Sequence, residues 1–246
     1  MATKKTKTLA AVATVTNVTA QQFIPLTDEN GSITKVSLAS LKASLLANLD
    51  LDAIEDGIFI AYHNAAGNTL MVKPHKWAAL QGAGNIADGV VILEGGKLLM
   101  IAPTEVVLKW SKKAVAAGGT TTTSNRIAIA DMAGEASTAV QVTHTECQGD
   151  GYAPGYCKAY SRGGQGAGSW WLPALGEIEM IYANMKKINY ALSLLNGATL
   201  ITENWYWTST EKDANDEWAI NLTNGFVGGY NKASYQNRVR PVSTFI

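Results

Sequence analysis

The sequence predicts an α+β protein, and three observations lead there. Short apolar segments bounded by Gly, Asn and Asp turns recur along the chain and read as strands. One long stretch, residues 178–195, carries Ile178, Tyr182, Met185, Ile188, Leu192 and Leu195 at steps of three or four, the spacing of one helix face. The region after it packs Trp205, Tyr206, Trp207, Trp218, Phe226, Tyr230 and Tyr235 onto strand-like segments and their turns.

Taken in order, three regions are expected: 1–56, 57–146 and 147–246. In the first, 23–26 and 33–36 form a hairpin around Asn30-Gly31, which supplies the positive φ angles of a tight turn. Ser37 then caps a helix with Leu38, Leu41, Leu45 and Leu49 on one face. So short a unit buries little alone, and it is expected to pack on a partner or on copies of itself. In the second region, 58–62 and 69–72 read as strands, and 90–93 and 98–101 flank the hairpin signal Glu94-Gly95-Gly96-Lys97. A helix is expected from Pro103 to Ala117, ended by Gly118-Gly119, and a strand over 126–130. In the third, 147–168 reads as one long irregular loop before Ser169-Trp170-Trp171-Leu172-Pro173. After the long helix come a strand at 205–209, a polar loop at 210–217, a hairpin of 218–222 with 226–230, and a final strand at 237–245. Trp218, Ile220 and Leu222 are expected inward, Ala219, Asn221 and Thr223 outward.

Bulk properties exclude several function classes. The chain has 246 residues, 47% of them apolar, with 20 basic and 20 acidic side chains. Balanced charge argues against nucleic acid or an acidic membrane surface as a dominant partner. The basic cluster Lys4, Lys5 and Lys7 reads as a solubilising tail. The apolar run at 9–13 is interrupted by Thr14, Thr16 and Asn17, unlike a signal peptide, and no segment is apolar enough for membrane insertion. Cys147 and Cys157 are the two cysteines. A local disulfide and two free thiols both remain open.

Catalytic signals are missing. Gly82-Ala83-Gly84-Asn85-Ile86-Ala87 has the letters of a dinucleotide fingerprint, without the strand before it and helix after it that place phosphate at a helix N-terminus. His63, His75 and His144 accompany no nucleophile motif. A zinc site from His144, Cys147 and Cys157 would lack a fourth ligand. Glu177 and Glu179 point roughly 160–200° apart on a helix, and Glu177 suits its positive first turn. Asp213, Asn215, Asp216 and Glu217 match no spaced calcium loop. No catalytic residue, metal site or cofactor is expected. A mixture of aromatic rings with Asn, Ser, Thr and Gly is instead the composition of recognition surfaces.

The order of Trp170-Trp171-Leu172-Pro173-Ala174-Leu175-Gly176-Glu177-Ile178, Tyr206-Trp207-Thr208-Ser209-Thr210-Glu211, Trp218, Asn224-Gly225 and Arg238-Val239-Arg240-Pro241-Val242 resembles one family. It is the C-type-lectin-like, formylglycine-generating-enzyme-like domain of bacterial and phage fibre proteins, shared with variable proteins of diversity-generating retroelements. The resemblance covers about 151–246. A wider likeness of the N-terminal hairpin and helix and of 90–110 is to head- or tail-fibre components of phages of gut bacteria. The resemblance implies an α+β chain: an N-terminal hairpin-helix attachment unit, a small mixed α/β region and a C-terminal C-type-lectin-like domain. It implies a virion protein, made in the host cytoplasm, attached to other virion proteins through its N-terminal segment and forming homo-oligomers. Its terminal domain would bind a host-surface protein or glycan; the alternative is a purely structural capsid or tail component. Carried over, the ligand-contact positions are Asp213, Asn215, Asp216, Asn221, Thr223, Phe226, Tyr230, Asn231 and Tyr235. Formylglycine chemistry is not implied, because both cysteines precede the Trp-Leu-Pro block. Calcium-dependent sugar binding is not implied either, because the Glu-Pro-Asn and Trp-Asn-Asp motifs are absent.

Overall fold

The computed structural model describes residues 23–27, 33–37 and 55–244. The chain divides into two compact units, Met1–Ile54 and Glu55–Ile246. In the first, β1 (Phe23–Thr27) pairs antiparallel with β2 (Ile33–Ser37), Phe23 opposite Ser37. The expected Asn30-Gly31 turn, the helix over 38–49, the Lys4, Lys5 and Lys7 cluster and the run at 9–13 lie outside the described residues.

The second unit is α+β and holds two sheets. The first sheet uses β3 (Gly57–His63), β4 (Thr69–Val72), β5 (Ala87–Glu94), β6 (Lys97–Ile101), β8 (Trp170–Trp171) and β13 (Val242–Ser243), in the order β4-β3-β5-β6-β13-β8. All its neighbours are antiparallel. The β5–β6 hairpin turns through Gly95 and Gly96 at φ of +55° and +74°, the left-handed pair that a two-residue turn requires. The second sheet uses β7 (Val106–Lys109), β9 (Trp205–Glu211), β10 (Asp216–Asn221), β11 (Phe226–Asn231) and β12 (Gln236–Val239), in the order β11-β10-β9-β12-β7. Only the β9–β12 pairing is parallel among these neighbours.

Among the described residues, four short α-helices, α1 (Trp77–Gly82), α2 (Asn125–Ala128), α3 (Gly134–Gln141) and α4 (Ala153–Ala159), precede α5 (Leu175–Ser193). The apolar stripe of α5 is the centre of the main core. Ile178, Ile181, Ile188 and Leu192 join Ile58, Ile60, Val90 and Ile92 of the first sheet and Tyr206, Trp218 and Ile220 of the second. Each such buried aliphatic side chain contributes about 1.5–3 kcal/mol of hydrophobic free energy. The second sheet buries its other face too: Trp207, Ala219 and Val239 pack with Trp110, Leu172, Ala153, Cys147 and Cys157.

Several sequence expectations are corrected. The division at 146/147 does not exist in the fold, because β7 joins the C-terminal sheet and β8 and β13 join the N-terminal one. The helix expected from Pro103 to Ala117 is replaced by β7, whose Val106, Val107, Leu108 and Lys109 pair with β12. Sheet pairing overrides an apparent helical spacing there, since Val107 is 46% exposed and never faces a core. The strand expected over 126–130 is α2, with Ile127 and Ile129 exposed. The supposed loop 147–168 contains α4, started by Pro154 in its first turn. The last strand is two, β12 and β13 in different sheets, and Pro241 lies at the crossing. Ala219, expected outward, is buried, because this sheet is covered on both faces.

At the start of α5, Glu177 Oε2 accepts hydrogen bonds from the Ala174 backbone N–H at 2.9 Å and from Trp171 Nε1 at 3.0 Å. Burial pushes its carboxyl up to about 7, against the pull of those two donors and with the help of Asp131. Its folded pKa is therefore above the ordinary value of 4.5. The stability from its protonation is full below 4.5 and is lost as pH rises through about 7. Glu177→Gln, which cannot ionise, is expected to flatten the stability profile. The loss of unfolding free energy between pH 5 and pH 8, measured by urea titration, should shrink by about 2 kcal/mol relative to the wild type. An unchanged loss would show that Glu177 ionises freely in the fold.

Candidate functional site

β11 is an edge strand and carries the most exposed aromatic side chains of the second sheet. Cross-strand register explains which side they take. Asn221 lies opposite both Trp205 on β9 and Phe226 on β11, and Glu217 lies opposite Tyr230. Directly paired residues share a face, so Trp205, Phe226 and Tyr230 emerge together. Trp205 sits 6.0 Å from Phe226 edge-on and 4.6 Å from Tyr230, and Tyr230 lies 5.2 Å from Tyr235. These are the separations of mutually attractive rings. Phe226 is 61% and Tyr235 52% exposed, while Trp205 and Tyr230 are partly buried. Gly228 lies between Phe226 and Tyr230, and a Cβ there would stand 3.3 Å from the Tyr230 ring and 3.4 Å from the Phe226 ring. The missing side chain leaves room for the rings to form one continuous strip.

Trp205 differs from the other tryptophans in its polar edge. Trp77, Trp110, Trp170, Trp171, Trp207 and Trp218 each donate their indole N–H to a protein oxygen. Among the described residues, Trp205 Nε1 has no such bond. The strip thus combines ring faces with an indole donor and the Tyr230 and Tyr235 hydroxyls. Partial burial and the neighbouring Tyr235 raise the Tyr230 pKa, so its hydroxyl stays a neutral donor and acceptor at pH 7.

Of the expected contact residues, Phe226, Tyr230 and Tyr235 come together, and Trp205 joins them. The polar ones do other work. Asp213 Oδ1 accepts from the backbone N–H of Asn215 and Asp216, closing the β9–β10 turn. Those backbone donors, first that of Asp216, hold its carboxyl below the usual range. Asn221 Oδ1 accepts from Thr223 N, and Asn231 Oδ1 from Ala233 N and Ser234 N. These are side-chain-closed turns, which set strand ends and leave only part of each amide for a ligand. Asp216 faces Lys212 at 3.8 Å. Thr223 and Asn215 are exposed at opposite ends of β10.

The polar loop expected over 210–217 shrinks to residues 212–215, because Thr210, Glu211 and Glu217 are buried in the strands. Their counterpart is Lys232, fully buried just after β11. Its ammonium donates at 2.8 Å to Glu211 Oε2, to the Val115 carbonyl and to the Asp213 carbonyl, and lies 3.7 Å from Glu217. Glu211 also accepts from the Ala117 backbone N–H. Burial drives the Glu217 carboxyl well above its ordinary value even against the Lys232 charge. Cys147 and Cys157 are buried, unbonded thiols, and burial pushes Cys147 up to about 12. Neither is activated as a nucleophile at neutral pH. Among the described residues, no group of three or more His, Cys, Asp and Glu is placed to hold a metal, and no helix is long and apolar enough to cross a membrane.

No family model matches the chain, and no curated protein matches it. Among solved structures, it is similar to a fimbrial protein from Bacteroides ovatus ATCC 8483, at 15% sequence identity and a TM-score of 0.47, over 60% of this chain. The chain spans 35% of the length of that protein.

The Lys232 cluster makes a stability prediction. Lys232→Met fills similar space but leaves two carboxyls buried without their cation, and is expected to cost about 3–5 kcal/mol in urea unfolding. Adding Glu211→Gln should restore part of that loss. A single variant as stable as the wild type would show that the cluster carries no net charge interaction.

Proposed function

We propose that the unit Glu55–Ile246 is the C-type-lectin-like display part of a phage fibre or decoration protein, and that the aromatic strip on β11 holds a host-surface glycan or protein. The observation that carries this reading is the strip itself: Phe226, Trp205, Tyr230 and Tyr235 packed together and in part exposed, with an indole N–H that no group among the described residues accepts. Rings of this kind offer large contact area with few rotatable bonds, so little conformational entropy is lost on binding. They lie over a sheet whose both faces are packed, so the surface is rigid before any ligand arrives. The sequence resemblance supports the placement in a virion, with the unit 1–54 as the attachment to other virion proteins. Homo-oligomers follow from the same reading, because several weak contacts acting together hold a cell where one does not.

The test is adsorption of the purified full-length protein to a panel of gut-bacterial cells. Wild-type protein is expected to bind at least one strain. The Phe226→Ala/Tyr230→Ala double variant, with an unchanged melting temperature, should bind at least about thirtyfold more weakly, the effect of losing about 2 kcal/mol at a hot spot. Undiminished binding by the folded double variant would move the contact surface elsewhere. A folded wild type that binds no strain would favour the purely structural role in the particle.

A further inference from the structure

A concave site lies in the same unit, away from the strip residues, and it is polar where the strip is aromatic. A cavity of about 590 Å³ opens between the loop before β5, the loop after α4 and the end of α5. That volume falls in the range of small-ligand sites, roughly 300–1,000 Å³. Its wall carries one charged side chain, Arg162, with the hydrogen-bonding groups of Gln81, Asn85, Ser161 and Asn196 and the apolar surface of Ile86.

Arg162 is held in place without being neutralised. Its Nη2 donates to the Asn196 carbonyl at 2.7 Å, and its backbone exchanges hydrogen bonds with that of Gln165. Its Nε is buried and bonds to no protein group. Among the described residues, no carboxylate comes within 4.0 Å of the guanidinium, whereas Arg238 and Arg240 both pair with Glu105. An oriented guanidinium at the wall of a cavity, without an acidic partner among the described residues, attracts an incoming anion.

The wall is rigid on both sides of that cation. The Gly164 backbone N–H donates to Asp88 Oδ1 at 2.6 Å, and Asp88, fully buried, is joined through Oδ2 to His63 Nδ1 at 2.6 Å. His63 Nε2 bonds in turn to Thr69 Oγ1. Gly163 and Gly164 lie directly against Asp88 and His63, so this loop is clamped onto β3 and β5. Gln165 is fixed to Ser243 and Thr244, and the Gln81 oxygen accepts from Trp77 Nε1 and Asn196 N. Little ordering is left to be done by a ligand.

We propose that this cavity binds a carboxylated pyranose, a uronic or sialic-type sugar, with its carboxylate on Arg162. The amides of Gln81, Asn85 and Asn196 and the Ser161 hydroxyl suit ring hydroxyls, and Ile86 suits an apolar C–H face. The sugar is held, not cleaved: no carboxylate lines the cavity, and the acid–base pair of a glycosidase is missing. The site stands independently of the aromatic strip and of the fibre assignment.

Saturation-transfer NMR and calorimetric titration of the full chain with glucuronic, galacturonic and N-acetylneuraminic acids test it, with galactose, acetate and inorganic phosphate as comparisons. At least one acidic sugar is expected to bind with a millimolar or tighter dissociation constant, and at least tenfold more tightly than galactose, acetate or phosphate. Arg162→Gln should weaken it at least tenfold, Arg162→Lys less, and Phe226→Ala/Tyr230→Ala not at all. Retained binding in a folded Arg162→Gln variant overturns the assignment. So does the failure of all three acids to bind below about 20 mM, a bound roughly twentyfold weaker than a millimolar affinity of about 4 kcal/mol. Equal binding of phosphate and acetate would reduce the site to a general anion contact and overturn the sugar reading.

Discussion

The displayed surface of the second sheet depends on one buried ammonium. Lys232 follows β11 directly, and its hydrogen bonds reach the end of β9, the β9–β10 turn and the 115–117 segment at once. Glu211 is drawn into the interior by the same contact and then receives the Ala117 N–H and the Thr121 hydroxyl. The Trp110 ring lies 4.9 Å from the ammonium and closes its remaining side. A buried cation in this position is costly to desolvate, so its value is in specificity of arrangement more than in net stability. It joins the ends of β9 and β11 and the β9–β10 turn, and the register of these strands sets which aromatic side chains emerge.

A second ionic centre does the equivalent work where the chain crosses between sheets. Arg238 and Arg240 flank Val239 and both reach Glu105, at 2.7 Å and 2.6 Å, while Arg240 also donates to the Ala102 and Thr199 carbonyls. Tyr206 Oη donates to the same carboxylate, and burial pushes that phenol up to about 12. The segment before β7 is thereby locked to β12 and to the start of β9. Because β7 precedes β12 by over a hundred residues, this lock ties sequence-distant parts of the second unit together.

These two centres mark the limit of what the sequence alone conveys. Elements fixed by local chemistry were readable: the Gly95-Gly96 hairpin, the apolar stripe of α5, and the hairpin of β10 with β11 all follow from near neighbours. Elements fixed by distant partners were not. Val107, Trp110 and Ala114 stand at helical spacing, yet Val106–Lys109 becomes a strand because β12 offers a ladder. Glu211 and Glu217 look like members of a solvated loop, and only the arrival of Lys232 takes them inside. At the candidate site, alternation put Phe226 and Tyr230 on one face, while Tyr235 was named only through the family resemblance. Trp205 stood out in the aromatic-rich region but was not placed among the contact positions, although its two-residue spacing from Trp207 already put it on the face of Asn221 and Phe226. The role of Asp213, Asn221 and Asn231 in closing turns was visible in principle, since Asx residues before a chain reversal commonly bond the backbone two residues on.

The consequence for function is a separation of duties within one hairpin. Side chains that hold its shape are buried or spend their polar atoms on the backbone: Lys232, Glu211, Asp213, Asn221 and Asn231. Side chains that face outward, Phe226, Tyr230 and Tyr235, touch chiefly one another and Trp205. Exchanging a ring at the rim removes contact area that is already half in water, which changes stability far less than opening a cavity in the core. The frame can therefore keep its register while the strip changes composition. That is the property a binding surface needs if it is to be altered without refolding the domain beneath it.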